Sequence, residues 1–424
     1  MPDKFSGRLF SVRGPIPVLV LILAAAALTL LLLPEDIPEY PTDLVSYLGG
    51  LYAAVDGNDP YDDDDALASL HARGFENENI YGYVYSPPFL LFLEPVRLIP
   101  YRYFRTLWTG LGIVSVWAAL FLLCLRLEGK DRILLAVLGA CFLLVSSVLY
   151  DSLYWGQVSG LLLLAVSVLV YRSYRGVVAG VAASACLILK VGFIPFILFL
   201  RGRRTWGSLG AVVLLLAVFS LVVYGTGSYS SFVENIGIIE KTWNVDRANN
   251  VSIAGATGMA AGEWFAPGMD LERARTDHDY RLEKAALADR SVRLAVTAVS
   301  ALIVLAMVSR LGYLFKKGFR PDRDYLLVLA ALALLVLLPF VWLHYGLILL
   351  VPLWYQVHSG RRTAAAAMTI SIILWGLPLK PAYGFWTEVP GLRALILLGW
   401  IAWLLTAGVP DRGTRSASGP YSSV

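Results

Sequence analysis

The chain has 424 residues, of which 58% are hydrophobic and only 16% charged, and its mean hydropathy is +0.66. With the apolar residues gathered into blocks, this excludes an ordinary soluble domain and reads as a polytopic membrane protein. The net charge of +4 calls for no nucleic-acid partner, Cys124, Cys141 and Cys186 lie inside apolar blocks where they build no disulfide scaffold, and four histidines without metal-ligand spacing give no metal-site signal.

Lys4, Arg8 and Arg13 precede a first apolar segment, about 16–33, which reads as a retained span running outward because no trustworthy cleavage site follows it. Residues 34–102 then form a first external loop, rich in acidic residues and poor in basic ones before Arg97. Its start, PTDLVSYLGGLYAAVDGNDPYD, predicts an amphipathic helix lying in the membrane interface, with Leu44, Leu48, Leu51, Tyr52 and Val55 on one face. Asp43, Tyr47, Gly50 and Ala54 form a second stripe, a carboxylate and a phenol beside small residues, which suggests a site. The alternative is that Asp43 only sits favourably in the first turn behind a Thr42 N-cap. Asp62 to Asp65 reads as a solvated acidic loop, since it lacks the glycine turn and distal glutamate of a calcium loop. Pro87 to Pro100 is too short to span, and two prolines at its start disfavour a regular helix there, so an interfacial or re-entrant piece is expected, with Glu94 and Arg97 paired.

Spans follow at about 104–125, 132–150 and 157–171, with Arg126, Lys130 and Arg132, then Arg172 and Arg175, at their inner ends. Residues 176–200 have the length of one span but are interrupted by Lys190, Gly192 and Pro195. The basic loop at 310–323 must also be inside, and only two clear spans, about 206–224 and 291–309, lie between. Residues 176–200 should therefore go out and come back as two short helices broken near Lys190, the alternative being that Val251 to Pro267 dips into the membrane instead. A second external loop covers 225–290, and spans at about 325–340, 345–357, 364–379 and 391–408 complete the chain. The expected fold is an all-α integral membrane bundle of about twelve transmembrane segments with interfacial helices in the first external loop. It forms a single domain over 1–410, with a cytoplasmic disordered tail at 411–424 and both termini cytoplasmic.

Polar islands interrupt this pattern: Asp151, Trp155 and Gln157 in LYDSLYWGQVSG, Lys190 in LILKVGFIP, Asn249, Asn250 and Ser252 in NNVSIAG, and Trp342 and His344 in PFVWLHYG. The bland reading makes the aromatics an interfacial belt and lets Lys190 snorkel. A cation inside an apolar stretch is costly, however, and usually faces a cavity or a charged partner.

Taken together, the islands resemble glycosyltransferase family 87 of the GT-C superfamily, polytopic enzymes that use polyprenyl-phosphate sugars. The resemblance rests on the Asp-containing first loop, a Tyr-x-Pro-Pro type motif at YSPP, WGQV at Trp155 to Val158, the lysine-proline break at Lys190 to Pro195, the Asn250 to Ser252 element and the Trp342 to His344 element. These follow in the family's order over most of residues 40–350. Two departures stand out: Ser86 separates the tyrosine from the prolines, and Tyr345 stands where a second histidine is often seen.

The resemblance implies an inverting transferase that moves a sugar, most readily mannose, from a polyprenyl-phosphate carrier to a hydroxyl of a glycan or glycolipid outside the cytoplasm. Asp43 would be the general base, its pKa raised by partial burial. Lys190, His344 or Arg102 would stabilise the departing phosphate without a metal or other cofactor. Gln157 and Asn250 would bind sugar hydroxyls, and Tyr47, Tyr85, Trp155 and Trp342 would contact the sugar or line the lipid groove. A transporter or flippase is the rival class, with Lys190 and the broken helix as its substrate or ion site. A non-catalytic scaffold subunit is a third.

Overall fold

A computed structural model describes residues 14–33, 38–76, 80, 83–242, 278–318, 321–337, 343–375 and 392–406. Among these the regular structure is helical, and one isolated bridge, Arg175 with Arg201, is the only extended pairing. Helix α1 (Pro15–Leu31) leads to α2 (Thr42–Asp56), α3 (Asp63–His71) and α4 (Pro87–Leu93). Next come α5 (Tyr101–Leu125), α6 (Gly129–Val145), α7 (Ser147–Trp155), α8 (Ser159–Tyr171) and α9 (Val177–Leu189). The remainder is α10 (Arg203–Tyr224), α11 (Gly227–Thr242), α12 (His278–Lys316), α13 (Arg323–Leu337), α14 (Leu350–His358), α15 (Arg362–Trp375) and α16 (Leu392–Thr406).

By length and composition three described helices can cross a membrane: α5, α10, and Thr297–Lys316 within α12. At about 1.5 Å per residue the 25 residues of α5 exceed a hydrocarbon core of about 30 Å. The expected span 132–150 is broken instead. Ser146 takes extended angles and α6 and α7 meet at 56°, so together they form a fourth candidate. The break falls at the Ser146–Ser147 pair, residues of a type often found at helix kinks.

The described part of the segment 34–102 is more ordered than expected, and five readings need correction. Prolines 87 and 88 start α4 rather than disfavour a helix, because the first turn needs no amide donors and proline already has helical φ. The acidic run is no loop: the Asp62 side chain accepts from the amides of Asp64 and Asp65 and caps α3, whose first turn then gathers Asp63 to Asp65 at the positive end of the helix. Helix α2 starts on Pro41, so Thr42 is its first residue and caps nothing through its side chain. Both stripes of α2 are covered, with Tyr47, Gly50 and Leu51 all buried, so it is packed into protein rather than laid on a surface. Gly50 offers no open space, since a Cβ there would come within 2.6 Å of the Tyr83 ring. The Glu94–Arg97 pair forms as expected, at 3.0 Å, and Glu94 also accepts from Tyr224 at 2.8 Å.

Residues 176–200 do fold back on themselves at Lys190. Helix α9 ends where Lys190 turns to extended angles, and a 3₁₀ run, Val191–Phe199, returns past Pro195. Thirteen α residues rise about 20 Å and nine 3₁₀ residues about 18 Å, so the two arms match. Their ends meet: Arg201 N–H donates to Tyr174 C=O at 2.8 Å beside the Arg175–Arg201 bridge. Arg323 donates to the carbonyls of Phe199 and Leu200 and locks the base of the hairpin to α13. Lys190 therefore stands at the tip, far from the arginine-lined base.

Candidate active site

A glycine-terminated helix brings the site together. Helix α7 ends in a Schellman turn in which Gly156 has φ 71°, Gly156 N–H donates to Leu153 C=O and Gln157 N–H to Ser152 C=O at 2.8 Å. Only glycine takes this angle without strain, and space demands it too, since a Cβ on Gly156 would lie 2.8 Å from the Leu44 Cβ. The turn presses against the start of α2 and is fixed there by Trp108, whose indole donates to Gly156 C=O at 2.8 Å. Gln157, the next residue, is thereby delivered to Asp43.

Gln157 Nε2 donates to Asp43 Oδ2, and its Oε1 accepts from the Tyr85 phenol at 3.3 Å. Because that phenol has one proton, the 2.9 Å contact between Tyr85 and Tyr47 must be donated by Tyr47. A relay runs from Tyr47 through Tyr85 and Gln157 to the carboxylate. Gln157 is thus Asp43's anchor, and Tyr47 and Tyr85, nearly perpendicular at 4.9 Å between centroids, form the wall beside it.

The cations approach from the other elements. Lys190 Nζ lies 4.9 Å from the centroids of both Tyr85 and Tyr345, a cation held between two aromatic faces. Ser86 helps to place it: its hydroxyl donates at 3.1 Å to the carbonyl of Ile188, one of the acceptors left open at the end of α9. His344, 2% exposed, meets Asp151 through Nδ1 at 3.1 Å, and the other oxygen of Asp151 accepts from Trp155 Nε1 at 3.1 Å. Asp43 interacts electrostatically with Lys190, His344 and Asp151. Burial pushes the Asp43 carboxyl above its ordinary range, the pull of His344, Lys190 and Gln157 notwithstanding. Asp43 and Lys190 are both half-buried, enclosed by protein yet keeping some accessible surface.

Of the residues singled out from sequence, Asp43, Tyr47, Tyr85, Trp155, Gln157, Lys190 and His344 come together. Arg102 does not join them: it is exposed and donates to the neighbouring Tyr103 phenol at 2.7 Å. Asn250 and Trp342 lie outside the described residues. Sequence reasoning assigned no role to Asp151, although its place four residues before Trp155 on one helix could have suggested the pairing. Nor did it foresee that, of the two departures from the family pattern, Tyr345 would face Lys190 and Ser86 would bond the Ile188 carbonyl two residues before it. Among the described residues no group of three or more His, Cys, Asp or Glu side chains is placed to hold a metal ion.

The all-helical scaffold thus sets the Asp43 carboxylate within electrostatic reach of Lys190 and His344. The sequence model of glycosyltransferase family 87 matches residues 83–339, more than half of the chain, and the chain belongs to that family; it is a glycosyltransferase. Comparison with curated proteins and with solved structures finds no match.

Proposed function

We propose that the protein is an inverting glycosyltransferase of GT-C type that moves mannose from a polyprenyl-phosphate carrier to a hydroxyl of a glycan or glycolipid at the extracytoplasmic face of the cell membrane. The observation that carries this reading is Asp43, a buried carboxylate anchored by Gln157 with Lys190 and His344 within electrostatic reach. The acceptor hydroxyl gives its proton to Asp43 as its oxygen bonds to the anomeric carbon. On the opposite side the bond from that carbon to the phosphate oxygen breaks, and the polyprenyl phosphate leaves with the electron pair. Negative charge grows on the phosphate, and Lys190 and His344 are the groups that offset it in a poorly solvated recess.

The side of the membrane is supported by the hairpin, whose arginine-lined base belongs inside by the positive-inside rule while Lys190 occupies the far end. An arrangement of about twelve crossings with both termini cytoplasmic is consistent with that placement. The test is incubation of the purified protein with polyprenyl-phosphate mannose and acceptor lipids. Release of polyprenyl phosphate with a mannosylated product is expected. Passage of the lipid-linked sugar across the bilayer without release would instead make the protein a flippase.

A further inference from the structure

His344 has one nitrogen committed and one not. Nδ1 is held by Asp151 at 3.1 Å, whereas Nε2 is buried with no hydrogen-bond partner among the described residues. A buried orphan of this kind is unfavourable unless a ligand satisfies it. Asp151 is itself only 9% exposed and uses its two oxygens on two different residues, Oδ2 for His344 and Oδ1 for Trp155. A carboxylate offers only acceptors, so the imidazole must donate through Nδ1. That fixes the ring orientation and leaves Nε2 as the buried nitrogen without a partner among the described residues, on a ring within electrostatic reach of Asp43.

We propose that Asp151, which no step of the transfer uses directly, is a positioning residue. Through Nδ1 the Asp151 carboxylate holds His344 and supports the imidazolium, whose Nε2–H donates to the phosphate of the donor, and it ties the Trp155 indole to the same carboxylate. The inference rests on the glycosyl-transfer reading for the identity of the ligand, and on the geometry alone for the arrangement. Asp151 itself makes and breaks no bond. One acidic side chain on α7 thus couples two islands, WGQV and the Trp342 to His344 element, that lie almost two hundred residues apart in the chain.

Two measurements on the full-length protein test this, one of them without substrate. Nitrogen-15 spectra of the histidine-labelled protein, with the His344 signal among the four histidines assigned by its loss in His344→Ala, are expected to show a protonated Nδ1. In Asp151→Asn that signature should change, because one amide carbonyl then serves two donors. A wild-type ring with a bare Nδ1 would overturn the proposal even if no donor had been found. The second measurement is turnover at saturating polyprenyl-phosphate mannose. Asp151→Asn should lower it at least about tenfold, Asp151→Glu should recover part of it, and the double variant Asp151→Asn, His344→Ala should be no slower than His344→Ala alone. Multiplying losses in the double variant, or normal turnover in Asp151→Asn, would overturn it. Failure of the transfer reading is separate, since wild type would then release no polyprenyl phosphate.

Discussion

At the scale of single residues, Asp43 sets a conflict between stability and chemistry. Its carboxyl is raised by burial, so between the unfolded value of about 3.9 and the higher folded value the native state binds the extra proton. Stability contributed by this site is therefore highest in acid and is lost as pH rises through the folded value. Asp43→Asn carries no charge at any pH, so we expect its thermal midpoint to exceed that of wild type at neutral pH and the gap to close on acidification. An equal midpoint at neutral pH would mean that the charge is well solvated after all. Lys190 has the opposite demand, a charge held by two aromatic rings. Lys190→Met keeps the volume and removes the charge, and should weaken use of limiting donor at least about tenfold with expression nearly intact, whereas Lys190→Arg should keep part of the activity. Normal turnover of Lys190→Met at limiting donor would reduce the lysine to a snorkelling residue. The residue types of the site were legible in the sequence because charged and amide groups in apolar surroundings need a reason. Their partners were not, since Gln157 and Asp43 are 114 positions apart and no local period connects them.

At the scale of elements, the turn after α7 does the most to assemble the site. Gly156 has a left-handed φ and no room for a Cβ against Leu44, so Gly156→Ala must either strain the turn or move α2. We expect a loss of stability of about 1 kcal/mol or more together with a fall in turnover, because Gln157 would no longer meet Asp43. Unchanged melting and turnover would show that α2 and α7 are not rigidly coupled. The hairpin around Lys190 was legible from charge parity together with the interruption of the apolar run by Lys190, Gly192 and Pro195. The break between α6 and α7, the proline-started α4 and the Asp62 cap were misread because each depends on which backbone groups need partners at a helix end, not on hydrophobic period. The burial of α2 on both faces was hidden for a different reason: an amphipathic pattern reports an apolar stripe but not what covers the other one.

At the scale of the whole molecule, the scaffold sets the basic loops against the site. On a background lacking the native cysteines, a cysteine at Asp62 should react with an impermeant thiol reagent from outside and one at Gly202 should not. Labelling at 202 from outside would place the hairpin base, and with it Lys190, on the wrong sides for the proposed chemistry. The proposed chemistry needs one carboxylate beside an acceptor hydroxyl, and that is open to direct measurement. Single-turnover sugar transfer at saturating donor, for wild type and Asp43→Asn in the same membranes, should differ by at least about a hundredfold, with donor binding retained. Comparable rates in the two would contradict the assignment of Asp43 as the general base.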